Sequence, residues 1–169
     1  MIIMGIDERT EELAREVELM GRCYQKGFKN LITGINTYVL LYVISPDERE
    51  EYKPRALEAL EKLEGKYKQI PFERLVPQSD FSPLFAIKYL LSIYSKHVRE
   101  CFENPSEGLN KEINETSKEM ALFSGLFRDK FKEKIKRLKQ IPGYENFSIE
   151  FVDYDGRKWS INSALQLDS

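Results

Sequence analysis

Apolar residues recur every three or four positions through most of this chain, which is the spacing of one face of an α-helix. Four such stripes cover residues 13–35, 56–70, 84–102 and 113–138. A chain with this pattern buries its apolar faces by packing helices against one another. The spacing therefore predicts a mainly α fold, an elongated bundle of four to five helices. The third stripe is apolar over the widest arc, so we expect its helix to be the most buried.

Prolines mark where the predicted helices begin and end. Three starts pair a residue that can cap the first turn with a proline, whose missing N–H costs nothing at the first helical position. Two of these starts place Glu48 and Glu107 three residues after the cap, where a carboxylate can accept a hydrogen bond from the cap's own N–H. Pro71 and Pro142 predict helix ends. The three predicted pairs are Ser45-Pro46, Ser82-Pro83 and Asn104-Pro105.

The fourth helix is unusually long for a chain of this size. If it is unbroken from residue 105 to residue 141, it is about 54 Å long at 1.5 Å per residue. Gly108 and Gly125 lower the helix propensity locally, so a bend or break at either position is the alternative.

Residues 37–44, TYVLLYVI, allow two interpretations. They are rich in β-branched and aromatic residues, so they could form a buried strand, paired with residues 1–4, and make the fold mixed. We favour a helix, because the preceding stripe runs into this segment with no strong stop other than Gly34.

The segment FVDYDGRKWS, residues 151–160, predicts a β-hairpin. A two-residue turn at Asp155 and Gly156 would place apolar side chains on both faces. A three-residue loop over residues 154–156, with Gly156 in the left-handed conformation, instead gives one apolar face. That face consists of Ile149, Phe151, Trp159 and Ile161, with Phe151 opposite Trp159 and Ile149 opposite Ile161. Because a lone hairpin is marginally stable, we predict that residues 144–169 pack on a helical bundle of residues 1–143 as one domain.

Composition limits the class of protein. With 169 residues, the chain has the length of one domain, and its net charge of −2 gives no general attraction to nucleic acid or anionic membrane. The most apolar segment, residues 31–44, is short for a membrane span and contains polar side chains. Cys23 and Cys101 lie far apart without metal-ligand or redox spacing. We expect a cytoplasmic protein with two reduced, buried cysteines.

Motifs of common enzyme classes are missing from the sequence. The glycines form neither a phosphate-binding loop nor a dinucleotide-binding motif, and metalloprotease and serine-hydrolase motifs do not occur. His97 is the single histidine, so a di-metal carboxylate bundle is excluded. A nucleophilic couple of His97 with Cys101 would need a shared cleft, and a histidine at the edge of the core is the simpler interpretation. We predict no enzymatic activity, no cofactor and no metal.

The strongest charge feature is RDKFKEKIKRLKQ, residues 128–140. On a helix, Lys130, Lys134 and Arg137 share one ridge, and with Lys139 they could bind the phosphates of a nucleic acid. The alternative is a solvated helix end, because cations in the last turns complement the negative end of the helix dipole.

The sequence predicts a non-enzymatic helical interaction or scaffold protein that self-associates. Wide apolar helix faces in a chain without catalytic motifs are the reason for this interpretation. A nucleic-acid-associated accessory protein that uses the basic ridge is the alternative.

Overall fold

The computed structural model describes residues 2–152 and 156–160, with side chains from Glu8 onward. Over these residues the chain forms five α-helices and one antiparallel hairpin, so the mainly α fold with a C-terminal hairpin is confirmed. The elements are α1 (Ile2–Cys23), α2 (Phe28–Ile44), α3 (Arg49–Lys68), α4 (Ser82–Glu103), α5 (Glu107–Lys139), β1 (Glu150–Val152) and β2 (Lys158–Ser160).

The first apolar stripe belongs to two helices, α1 and α2, which the sequence analysis had treated as one. The break falls at Gly27, whose φ of 79° lies in the left-handed region that favours glycine. Gly34, the only stop that the sequence suggested, lies inside α2. The apolar spacing conceals the break because Tyr24 and Phe28, on either side of it, are both buried and four residues apart.

Residues 37–44 are helical, so the strand alternative is wrong. Residues 2–4, its suggested partner, lie in α1. The buried positions of α2 are Phe28, Ile32, Ile35 and Val39, which follow helical spacing. Thr37, a residue with strand propensity, is accommodated because its hydroxyl donates to the Thr33 carbonyl at 2.8 Å.

The predicted helix starts are close to the observed ones, but the capping residues are different. Ser45 makes no side-chain cap, and a short 3-10 helix, Pro46–Glu48, precedes α3. At α4 the capping position is Phe81, whose N–H donates to the Ser79 hydroxyl at 3.2 Å. At α5 the Leu109 N–H donates to the Ser106 hydroxyl at 3.0 Å, two residues after the predicted cap. More than one side chain that can accept a hydrogen bond lies near the starts of α4 and α5, and only the backbone path selects the one that caps.

Contacts divide the chain into two compact units. One unit contains residues 27–125, and the other contains residues 1–26 and 126–169. That residues 1–143 and 144–169 form one domain stays a prediction. In the first unit, Asn36 links three helices: the Tyr94 hydroxyl donates to its Oδ1 at 2.7 Å, and its Nδ2 donates to Ser117 Oγ at 2.8 Å. The fully buried residues of this unit include Ile35, Leu60, Leu63, Ile87, Tyr94, Val98 and Ile113.

The second unit contains the hairpin, and the predicted register is confirmed. Phe151 lies opposite Trp159, and Gly156 has a φ of 79°, in the left-handed conformation that the predicted loop requires. Trp159 is only 8% exposed and contacts the rings of Phe151 and Tyr24 at centroid distances of 4.7 and 5.9 Å. Ile149 and Phe151 are half-buried. Ile161 and residues 153–155, to which the same prediction referred, lie outside the described residues.

Candidate functional site

A groove of about 690 Å³ lies between the end of α3, the turn that follows it, and α4. All of its lining residues belong to the unit of residues 27–125. Its volume falls within the roughly 300–1,000 Å³ that is usual for sites that bind small molecules. This groove therefore has the size of a ligand-binding site.

One wall of the groove is α4, which contributes two rows of side chains that step by four residues along one helix face. The outer row, exposed to solvent, is Lys88, Ser92 and Lys96. The inner row is Leu91, Ser95 and Arg99, of which Leu91 and Ser95 are buried. The predicted high burial of this helix agrees with nine buried residues along its length.

The opposite wall is formed where α3 ends. The helix stops at Lys68, and Pro71, the predicted helix end, is followed by a 3-10 helix over Phe72–Arg74. The last turns of α3 contribute Glu64, Tyr67 and Lys68 to the groove, and the turn contributes Ile70, Phe72 and Glu73. Tyr67 and Ile70 are buried, so the floor of the groove is apolar.

Glu64 and Arg99 form an ion pair across the groove. The two guanidinium nitrogens of Arg99 donate to the two carboxylate oxygens of Glu64 at 2.8 and 3.1 Å. This two-point geometry is the strongest form of a salt bridge. Burial alone raises the pKa of Glu64, but the hydrogen bonds and charge of Arg99, together with smaller contributions from Ser95 and Lys68, outweigh it, so the net pKa of Glu64 lies below its ordinary value. The pair thus joins the two walls and neutralises the Glu64 carboxylate.

The other end of the groove is organised around Phe72. Its ring packs edge-on against Phe85 at a centroid distance of 5.1 Å. The ammonium group of Lys88 lies 4.6 Å from the Phe72 ring centroid, within the range of a cation–π contact. These contacts hold both Phe72 and Lys88 at the edge of the groove.

The groove is cationic although the chain as a whole has a net charge of −2. Four cationic side chains (Lys68, Lys88, Lys96 and Arg99) and two carboxylates (Glu64 and Glu73) line it, so its formal charge is +2. A cationic site with an apolar floor suits a ligand that combines an anionic group with apolar surface.

The basic ridge predicted to bind polyanions is partly engaged within the protein. Lys134 Nζ contacts Glu16 Oε1 at 2.6 Å, and the Lys134 side chain is only 18% exposed. Arg137 is exposed, while Lys130 and Lys139 are half-buried. The polyanion site stays a prediction, but Lys134 is already paired with a carboxylate.

His97 and Cys101 do not line the groove. His97 Nδ1 lies 3.3 Å from Glu112 Oε2 of α5. Cys101 is fully buried, and this burial raises the pKa of its thiol. A thiol with a raised pKa is a poor nucleophile, so this geometry does not favour the couple of His97 with Cys101.

Two further properties concern the described part of the chain. Within it, no three histidine, cysteine or carboxylate side chains converge as a metal site would need. Over the same residues, every helix is too short or too polar to cross a membrane.

The groove was not predicted from the sequence. Glu64 and Arg99 lie 35 positions apart, and nothing in the spacing along the chain indicates that they meet. A partial signal was present in α4, where Lys88, Lys96 and Arg99 lie within the helix that is apolar over the widest arc.

Comparison of this chain with protein-family models, with curated proteins and with solved structures finds no match. The geometry of the groove is therefore the basis for a functional proposal.

Proposed function

We propose that this chain is a non-enzymatic interaction protein that recognises its partner in the groove between α3 and α4. The observation that carries the proposal is a pre-formed site with an apolar floor and cationic edges, whose two walls are joined by the Glu64–Arg99 pair. A site whose walls are fixed before binding loses less conformational entropy when the partner binds.

The chemistry of the lining supports binding without catalysis. The described lining contains three hydroxyls, those of Tyr67, Ser92 and Ser95, and neither histidine nor cysteine. Ser92 Oγ donates to the Tyr89 carbonyl at 2.6 Å, in a local helix contact rather than with a general base. Glu64, one of the two carboxylates of the lining, is engaged by Arg99 on both oxygens.

The proposal is tested with a library of neutral, cationic and anionic aromatic fragments. Binding of each fragment is measured from the amide signals in nuclear magnetic resonance spectra of the isotopically labelled protein. We expect fragments to shift the amide signals of Glu64, Leu91 and Ser95. Ser92→Trp, which places a large ring between Lys88 and Lys96, should remove these shifts.

The control is Ser82→Trp, because Ser82 is exposed on the same helix and does not line the groove. It should retain the shifts. If no fragment moves the groove amides, or if the shifts survive in Ser92→Trp, the groove is not the recognition site.

We also propose that the chain self-associates, as the sequence predicts. Leu40 and Ile44 support it, because they lie one helical turn apart on α2 and are 42% and 57% exposed.

A further inference from the structure

We infer that the groove between α3 and α4 is selective for a small amphiphilic anion, a molecule with an apolar body and one terminal carboxylate, sulfonate or phosphate group. This inference rests on the proposed function, because it names the class of ligand that the same groove would take. The reason for this inference is the way in which charge and apolar surface are distributed along the groove.

The end of the groove at the Glu64–Arg99 pair carries the positive charge. Lys68 follows Glu64 by one helical turn on α3, and Lys96 precedes Arg99 by three residues on α4, so both lysines flank the pair. Arg99 already compensates Glu64 through two hydrogen bonds. Among the residues that line the groove, the charge that remains at this end is that of two lysines, which suits one anionic group.

Lys96 is not committed to another strong partner. Its contact with Glu100 is 4.0 Å long, and the Lys96 side chain is 74% exposed. An exposed ion pair of this length contributes little free energy. An incoming anion can therefore compete for Lys96 at low cost.

The opposite end of the groove is apolar and close to neutral. Lys88 and Glu73 balance each other in charge there, and Phe72 presents a ring fixed by its contact with Phe85. Between the two ends, Tyr67, Ile70 and Leu91 form the buried floor. An apolar body laid along this floor would place its terminal anion beside Lys68 and Lys96.

The inference is tested with two fluorescent probes that share an apolar body. Anilinonaphthalene sulfonate carries an anionic group, and phenylnaphthylamine is the same ring system without it. Titration with excitation beyond the tryptophan band gives both dissociation constants, and we expect the sulfonate to bind about tenfold more tightly than the neutral probe.

Variants then identify the cationic end. In Lys68→Gln with Lys96→Gln we expect affinity for the sulfonate to fall about five- to tenfold, with affinity for the neutral probe unchanged. The matched control is Lys53→Gln with Lys111→Gln, two exposed lysines of the same unit that do not line the groove. The control should bind both probes as the wild-type protein does.

The outcomes separate this inference from the function on which it rests. If both probes bind equally and both are lost in Ser92→Trp, the groove binds ligands without charge selection, so the inference fails and the proposed function stands. If neither probe is affected by Ser92→Trp, both fail.

The source of the anion is distinguished by displacement of the bound sulfonate. Dodecanoate that displaces it would identify a fatty-acid body, and phenyl phosphate that displaces it would identify an aromatic phosphate; either result supports the inference. Displacement by neither compound, at concentrations that saturate an ordinary small-molecule site, overturns it.

Discussion

Glu64 shows how one residue can serve both the fold and the site. Its carboxylate accepts two hydrogen bonds from Arg99 and so ties α3 to α4. The same contact compensates one of the two carboxylates of a groove that also carries three lysines. The net lowering of its pKa means that the ionised form is the one the fold stabilises.

Replacing this residue should destabilise the protein in a pH-dependent manner. At pH 7 we expect Glu64→Gln to lower the free energy of unfolding by about 0.5–1 kcal/mol, measured by urea denaturation. Because the folded pKa of Glu64 is lowered, its stabilisation is complete above the ordinary glutamate value of about 4.3. It is lost as the pH falls from there through the folded value, so the difference between variant and wild type should shrink toward zero.

Glu51→Gln is the control for this experiment. Glu51 pairs with Arg55 at 3.2 Å, but both side chains are more than half exposed, so the effect should stay within about 0.5 kcal/mol. A Glu64→Gln difference that is constant from neutral to acidic pH would show that the carboxylate charge is not what stabilises the fold.

The break between α1 and α2 shows what decides the limits of an element. Gly27 precedes α2 with a φ of 79°, and the Leu31 N–H donates to its carbonyl at 3.0 Å, which starts the new helix. Gly34 lies within α2, where an added Cβ would meet no atom within 4 Å. Two glycines seven positions apart therefore have opposite roles.

Alanine substitution at the two glycines should change the free energy of unfolding in opposite directions. Gly27→Ala forces an L side chain into the left-handed region and should cost about 1–2 kcal/mol of unfolding free energy. Gly34→Ala restricts the unfolded chain in a helical position with open space and should stabilise by about 0.5–1 kcal/mol. Urea denaturation followed by far-ultraviolet circular dichroism measures both, and changes of the same sign would contradict this account of the break.

At the scale of the whole molecule, the exposed apolar side chains bear on whether the chain self-associates. Exposed apolar side chains on a helix, such as Leu40 and Ile44 on α2, favour association because burying them removes apolar surface from water. Two exposed residues do not form a large patch by themselves, so the test of self-association is the mass of the protein in solution.

Light scattering should give a mass above the 19.9 kDa of one chain. We expect Leu40→Glu with Ile44→Glu to reduce it to that of the monomer, because a carboxylate at either position resists burial. Val76→Glu is the control, since Val76 is 63% exposed in the loop before α4 and should leave the mass unchanged. A monomer at every concentration of the wild-type protein would remove self-association from the proposed function.

Particular residues show which features could be predicted from the sequence and which could not. Val39 and Ile35 step with helical spacing and are buried in α2, so periodicity identified the element. The alternation around Phe151 and Trp159 selected the hairpin register, because the other register would have exposed apolar side chains on both faces. The helix caps were less predictable, since Ser106 rather than Asn104 caps α5 and both can accept the same bond. The sequence showed lysines within the apolar pattern of α4, but it did not indicate which residues would lie opposite them in the groove.

The amino-acid sequence alone determined the mainly helical class, the helix ends at prolines and the pairing of the hairpin. These depend on the local backbone and on the periodicity of apolar residues, which are properties of neighbouring positions. The tertiary structure alone decided that Glu64 meets Arg99, that Lys134 is engaged by Glu16, and that Phe72 and Lys88 border an open groove. Such contacts join residues far apart in the chain, and their formation depends on how whole helices pack, which no local pattern specifies.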